Sequence, residues 1–474
     1  MPIVRTTGRV TLEAFDPDDP EQWDGGGASL ARRTLGISMF AEHLGFVVWA
    51  LWTVVVLDLG DAGIALPLSD RFVLTLLPNL IGALLRIPYG LAVQRWGGRT
   101  WTTVSAALLL VPLLALAVVV PSGWLAAQHH GVQLAVLAAC AATSGLGGGN
   151  FASSMANISW WFPERRKGWA LGLNAAGGNL GTAVVQLLVP LVVVAGLPAA
   201  EAHRAHHRVH LAAAGWVWVP LVVAAAGLAW SRMPELGTDG RAGRRSAASF
   251  REAAADLHTW VLSAIYVGTF GTFIGFSFAL PLVVKESFPS FLSGHPFIAT
   301  YLAGLGFTGA LLGSAARPLG GWLADRLGGP QVTLAAFAGM AAGVAVAIAG
   351  VRAHAFPVAF AGFQVVFVSS GAGNGSTYKM IPAVFACRDG APSATAAAKR
   401  RAAAAMSIAG AVGALGGVGV QVALRQASLH VSALEAAAAT PAAVARIAAT
   451  HAAWSVPALG AFLLSYVAFA GLTW

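Results

Sequence analysis

Leu85-Arg-Ile-Pro-Tyr-Gly-Leu-Ala-Val-Gln-Arg-Trp-Gly-Gly-Arg99 and Ala316-Arg-Pro-Leu-Gly-Gly-Trp-Leu-Ala-Asp-Arg-Leu-Gly-Gly329 close two apolar segments in the same way. In each, an arginine is followed nine residues later by a second arginine and then by a glycine pair. A single shift of 231 residues carries Arg86, Arg95 and Gly97 onto Arg317, Arg326 and Gly328. A repeat of that length spans many secondary elements, so the chain reads as two related halves. Around these stretches lie twelve apolar segments, beginning near residues 36, 72, 101, 132, 168, 212, 259, 296, 331, 355, 402 and 450. A helical crossing of a bilayer core takes about 20 apolar residues. The expected fold is an all-α membrane protein with twelve transmembrane helices in two pseudo-symmetric six-helix halves. The expected divisions are an N-terminal extension (1–35), a first half (36–231), a polar linker (232–258) and a second half (259–474).

Composition supports that reading. At 57% hydrophobic and 10% charged residues, with mean hydropathy +0.70, the chain is too apolar for an ordinary soluble domain. The net charge of +9 is not gathered into a patch that would hold nucleic acid. Most Lys and Arg fall in segments on one side of the expected membrane, including Arg99, Arg165, Arg166, Arg244 and Arg245. By the positive-inside rule both termini are expected in the cytoplasm, in a multi-pass cytoplasmic-membrane protein. Residues 1–35 are polar and the first apolar segment is long enough to span, so no cleaved leader is expected. The extension, with Asp16, Asp18, Asp19, Glu21 and Asp24 among Pro and Gly, reads as mostly irregular. Two cysteines, Cys140 and Cys387, give no disulfide framework, and no metal site or cofactor is expected.

The chemistry starts from charge placed where it is costly. Arg86, Arg317 and Lys379 lie within expected spans, and no acid occupies the centre of any span. A charge without a protein partner suits an anion arriving from solution. Guanidinium is planar and permanently charged, so two can grip the oxygens of a small flat oxyanion through paired N–H donors. Tyr266 and Phe270 share a helix face by their i, i+4 spacing, and Phe151 follows Asn150 in the fourth span; all three fit either ordinary packing or the walls of a site. Glu42 and His43 are an unusual pair in the first span and read either as a proton-binding group or as rim residues paired locally. Arg95, Arg99, Asp325 and Arg326 lie at the same ends of the two halves and fit orientation charges, and Gln94 stands where the second copy has Asp325.

Gly145-Leu-Gly-Gly-Gly-Asn-Phe-Ala-Ser-Ser-Met-Ala-Asn-Ile-Ser-Trp-Trp-Phe-Pro163 brings small residues and uncharged donors to apolar depth, as a packing face or a solute path. This run, continued by Gly172-Leu-Asn-Ala-Ala-Gly-Gly-Asn-Leu-Gly181, resembles the nitrate signature of the nitrate/nitrite porter family of the major facilitator superfamily. Gly373-Asn-Gly-Ser-Thr-Tyr-Lys-Met380 resembles that family's second signature. The resemblance implies the major facilitator fold and a transporter rather than an enzyme, with nitrate and nitrite as partners. It also implies a site in which Arg86 and Arg317 bind the anion, Phe151, Tyr266 and Phe270 enclose it, and Asn179 adds an amide donor. Asn150, Asn374, Ser376, Tyr378 and Lys379 are pathway candidates from the two signatures, and Arg95, Arg99, Asp325 and Arg326 resemble the gating loop motif of the superfamily, which makes them gating candidates. The Ala41-Glu-His-Leu-Gly-Phe46 run resembles the branch assigned to proton-linked nitrate uptake, so nitrate/proton symport is favoured over nitrate/nitrite exchange. A non-transporting anion sensor is the rival from another class, and a functional monomer in lipid is expected.

Overall fold

The computed structural model describes residues 3–6, 9–12, 15–195, 209–236, 240–388, 396–436 and 453–474. Twelve helices carry the fold: α1 Ala28–Ala50, α2 Leu68–Trp96, α3 Gly98–Val119, α4 His130–Trp161, α5 Glu164–Ala195, α6 Leu211–Arg232, α7 Leu257–Ser287, α8 Gly306–Leu327, α9 Gly329–Arg352, α10 Phe356–Arg388, α11 Ala396–Ala436 and α12 Val456–Thr473. All but α8 belong to segments both long and apolar enough to cross a membrane. Helix α8 has the length, at 22 residues, but its composition is diluted by Arg317, Asp325 and Arg326. The protein is thus an all-α membrane protein of the expected class.

Helix α8 begins later than the apolar pattern suggests. The chain from Pro296 makes one short helix, then turns through Ala303, Gly304 and Leu305 with φ of 44°, 62° and 65°. Two non-glycine residues in the left-handed region end any helix there. The crossing therefore starts at Gly306 rather than near 296.

The repeat is visible in how helices touch. A Cβ on Gly148 of α4 would lie 2.7 Å from the Cα of Gly82 on α2. In the second half, a Cβ on Gly371 of α10 would collide with Gly313 of α8, and Gly313 is Gly82 moved by the same 231 residues. Small residues at these crossings let backbones meet in a medium that gives no hydrophobic drive between helices. The glycines of the first signature are thus a packing face.

The N-terminal extension differs from the irregular segment expected. β1 (Ile3–Thr6) pairs antiparallel with β2 (Arg9–Leu12), and β2 pairs in parallel with β3 (Glu235–Leu236) just after α6. Leu12 and Trp23 are buried against Ile158, Trp161 and Phe162. Alternating Val10, Thr11 and Leu12 supply the strand pattern and the buried anchor. Helix α1 accordingly begins eight residues before position 36. The end of the bundle holding β3 is called the linker end here, and the opposite end the far end.

Candidate anion site

Helices α2 and α8 carry the two arginines, one from each half, and both side chains are buried, Arg86 wholly and Arg317 at 5% exposure. Arg86 Nη1 donates to the carbonyl oxygen of Gly410 on α11 at 2.7 Å, a contact between halves. Its guanidinium carbon sits 4.6 Å from the Phe151 ring centre, 4.9 Å from Phe270 and 5.5 Å from Trp49. Arg317 Nη2 donates to the Tyr266 hydroxyl at 3.3 Å, and its guanidinium carbon lies 5.6 Å from Tyr378 and 5.7 Å from Phe151. Both cations therefore border the same Phe151 ring. Ring faces attract a cation without consuming its N–H donors. Among the described residues, Arg86 Nε and Nη2 and Arg317 Nη1 have no hydrogen-bond partner.

The walls are aromatic. Tyr266 and Phe270 stack with centroids 5.2 Å apart and planes 10° apart, and Phe270 stacks on Phe151 at 6.3 Å. Tyr378 closes the group, 5.6 Å from Tyr266. Between Tyr266 and Thr272, helix α7 widens into a π turn, Val267–Gly271, a local underwinding often found at working sites. Flat walls, two guanidiniums and spare donors make a slot suited to a small planar anion.

The other expected residues divide. Asn179 and Asn374 are buried and their amide atoms have no partner among the described residues. The Asn150 amide also has none, but lies against Gly45 of α1, in the helix crossing. Ser376 donates to the Gly329 carbonyl at 2.8 Å, so it ties α10 to α9. Lys379, taken as an intramembrane cation, forms an ion pair with Asp325 and is 45% exposed, so it sits away from the site. Its long side chain reaches a carboxylate at the helix ends, which removes the cost of burying its charge.

Of the two readings of Glu42, its placement is that of a buried group: it is 1% exposed rather than at a rim, Asn174 Nδ2 donates to its Oε2 at 2.5 Å, and its Oε1 has no partner among the described residues. Asn174 also bonds Ser154, which bonds Ser38 at 2.9 Å. Glu42 is close enough to Arg317 and Arg86 to feel both charges, so the arginines are not wholly without a protein carboxylate. His43 turns the other way and donates from Nδ1 to the Gly177 carbonyl at 2.9 Å, which ties α1 to α5.

The four gating candidates make unlike contacts. Arg99 donates to the Val10 carbonyl and the Thr11 hydroxyl, while Glu235 accepts from the backbone N–H groups of Arg99 and Thr100 at the start of α3. Burial pushes the Glu235 carboxyl up, and those N–H groups and the Arg99 charge pull it back. Arg95 lies over Trp96, Arg326 over Trp322, and Asp325 pairs with Lys379. The two copies do not build the same ionic contact, as Gln94 in place of an acid foreshadows.

Sequence comparison agrees with the geometry. The profile of the Major Facilitator Superfamily matches residues 32–420. The nitrate/nitrite transporter NarU of Escherichia coli (strain K12) is 36% identical over 389 residues, covering 80% of this chain and 79% of NarU. The chain belongs to the nitrate/nitrite porter family of the major facilitator superfamily. It is a transporter by descent and not an enzyme. The probable nitrate/nitrite antiporter NarK2 of Thermus thermophilus is 34% identical to this porter over 81% of its chain and 85% of NarK2. In fold, the porter is similar to a bacterial homolog of the human lysosomal transporter Spinster in an inward-facing, occupied conformation. That match has a TM-score of 0.61 and 16% identity, over 93% and 95% of the two chains. The Escherichia coli xylose transporter XylE matches with a TM-score of 0.54 and 15% identity, over 84% and 98%.

Trp49 and the Gly410 carbonyl border the site without having been singled out. Trp49 lies seven residues beyond Glu42 on α1, two helical turns along the same face, and that spacing is a usable signal. A backbone carbonyl leaves none.

Proposed function

We propose that this porter carries nitrate, nitrite or both across the cytoplasmic membrane by alternating access, with the anion held between Arg86 and Arg317. Both termini then face the cytoplasm, as the distribution of basic residues favours. One observation carries the reading: two buried guanidiniums from opposite halves keep unpartnered N–H donors inside a single aromatic enclosure. Phe151, Tyr266, Phe270 and Tyr378 supply flat walls, and Asn179 an amide donor within α5. A trigonal anion suits flat aromatic walls beside the two guanidiniums, where tetrahedral sulfate or phosphate is rejected on shape and charge. Nitrate and nitrite differ by one oxygen, so discrimination between them is small.

Rocking the halves moves the enclosure from one side to the other. Bound anion lowers the cost of carrying two positive charges through the closed state. The buried Glu42 carboxylate, electrostatically coupled to both arginines and wired through Asn174 and Ser154, favours nitrate/proton symport. Nitrate/nitrite exchange is the second reading, supported by the printed name of the Thermus relative. Uptake into proteoliposomes separates them. Symport is expected to accumulate nitrate under an imposed inward proton gradient without internal nitrite. Accumulation that requires internal nitrite and ignores the gradient would replace it with exchange.

A further inference from the structure

Helix α7 is almost wholly buried in the bundle, yet its far tip is interrupted by Pro281. Proline has no N–H, so the carbonyl four residues earlier, that of Ser277, loses its intrahelical donor. Gln186 of α5, in the other half, fills the gap by donating Nε2 to Ser277 O at 2.6 Å. Two residues nearer the site, Gln421 donates to the Gly275 carbonyl and accepts from Thr75 of α2. Beyond the proline the tip ends in two adjacent charges, and each grips the first half. Glu286 pairs with Arg71 at the start of α2 at 2.7 Å, both side chains one-fifth exposed. Lys285 donates to the Leu57 carbonyl in the α1–α2 connection and feels the charge of Asp58. The left-handed turn at Gly304 packs on Val284 of the same tip.

The linker end contrasts with this. There the Lys379–Asp325 pair stays within the second half, and the Arg99–Glu235 pair joins the first half to the linker strand rather than to the second half. A proline removes one rung of the helix ladder and so supplies a place to bend.

We propose that the segment of α7 beyond Pro281 is the far-end gate of the anion site, latched shut by Lys285 on Leu57 and by Glu286 on Arg71. Opening the site to the far side requires both grips to release, while Gln186 holds the freed carbonyl about which the tip bends. This rests on the alternating-access reading but on no particular anion.

The test uses a reporter inside the tip. Ser287 is buried and its hydroxyl has no partner among the described residues, so Ser287→Cys is a small change. The full chain, carrying Cys140→Ala, Cys387→Ala and Ser287→Cys, is placed in liposomes without anion substrate and exposed to a membrane-impermeant maleimide at the far side. Glu286→Gln or Arg71→Gln should each raise the labelling rate about fivefold, the size expected from losing a partly buried ion pair. Lys285→Met, which removes the other grip, should raise it again in combination. The reversed pair Arg71→Glu with Glu286→Arg should return the rate to within about twofold of the parent. Unchanged labelling in the single variants, or a reversed pair that labels as fast as they do, overturns the latch. If the reversed pair fails to fold, Lys285→Met alone decides by the same rate. Because no nitrate or nitrite enters the assay, failure of the latch and failure of the substrate assignment are distinguishable.

Discussion

Arg86 and Arg317 define the chemistry through what they lack. Lysine at either position keeps the charge but loses the planar fork, and a charge-assisted hydrogen bond contributes about 1.5–3 kcal/mol. Arg86→Lys and Arg317→Lys should therefore each raise the KM for nitrate uptake by about tenfold or more, with expression and monodispersity unchanged. Near-parental KM in either variant removes bidentate binding. Glu42→Gln keeps the shape of a side chain held by Asn174 but cannot release a proton. Proton-driven accumulation should be lost while counterflow of nitrate against nitrate persists; accumulation at the parental level takes Glu42 out of coupling. At this scale the sequence was legible wherever a charge stood in an apolar run, because such a residue needs a reason. It was less legible where depth depends on helix rotation: Glu42 reads either as a rim residue or as a buried group and is buried, whereas Lys379 looks intramembrane and reaches Asp325.

Helices meet most closely at glycines, and the consequence differs from one glycine to the next. A methyl on Gly148 meets backbone at Gly82 and the Trp49 indole, neither of which can yield cheaply. Gly172 on α5 has nothing within 4 Å of such a methyl. Gly148→Ala should thus destabilise by about 1–3 kcal/mol through overpacking, while Gly172→Ala should be neutral or stabilising by up to about 1 kcal/mol from helix propensity. Melting of purified protein in detergent orders the two; equal melting temperatures would mean that the α2–α4 crossing tolerates separation. Apolar length and the 231-residue repeat made the helices readable in advance. The start of α8 was not, since Ala303 and Leu305 carry no local sign of a left-handed turn, which is held by Leu305 N–H on the Leu302 carbonyl and by Gly304 packing on Val284 of the α7 tip. The hairpin escaped notice for a related reason. Its third strand, Glu235–Leu236, lies more than 200 residues away.

For the whole molecule, the balance between its two openings is where protons act from outside the helices. Asp58 lies in the α1–α2 connection, beneath the latch, and burial raises its carboxyl from 3.8 to about 6; Lys285 opposes this and Asp61 adds to it. Other charged groups described at this end include the Arg71–Glu286 and Asp70–His130 pairs, Arg352 at the end of α9 and Arg425 on α11. If opening wets Asp58, its affinity for a proton is higher in the latched state than in the open one. Its contribution to latching is then full below about pH 4 and lost as pH rises through about 6, up to about 3 kcal/mol in all. Acid on the far side should hold the gate shut and neutral pH should free it. Labelling of Ser287→Cys, divided by the rate in the same protein bearing Asp58→Asn, cancels the ionisation of the thiol itself. That ratio should be lower at pH 5 than at pH 7. A flat ratio would show that Asp58 stays equally buried in both states, and a pH effect removed by His130→Ala but not by Asp58→Asn would assign it to the Asp70–His130 pair.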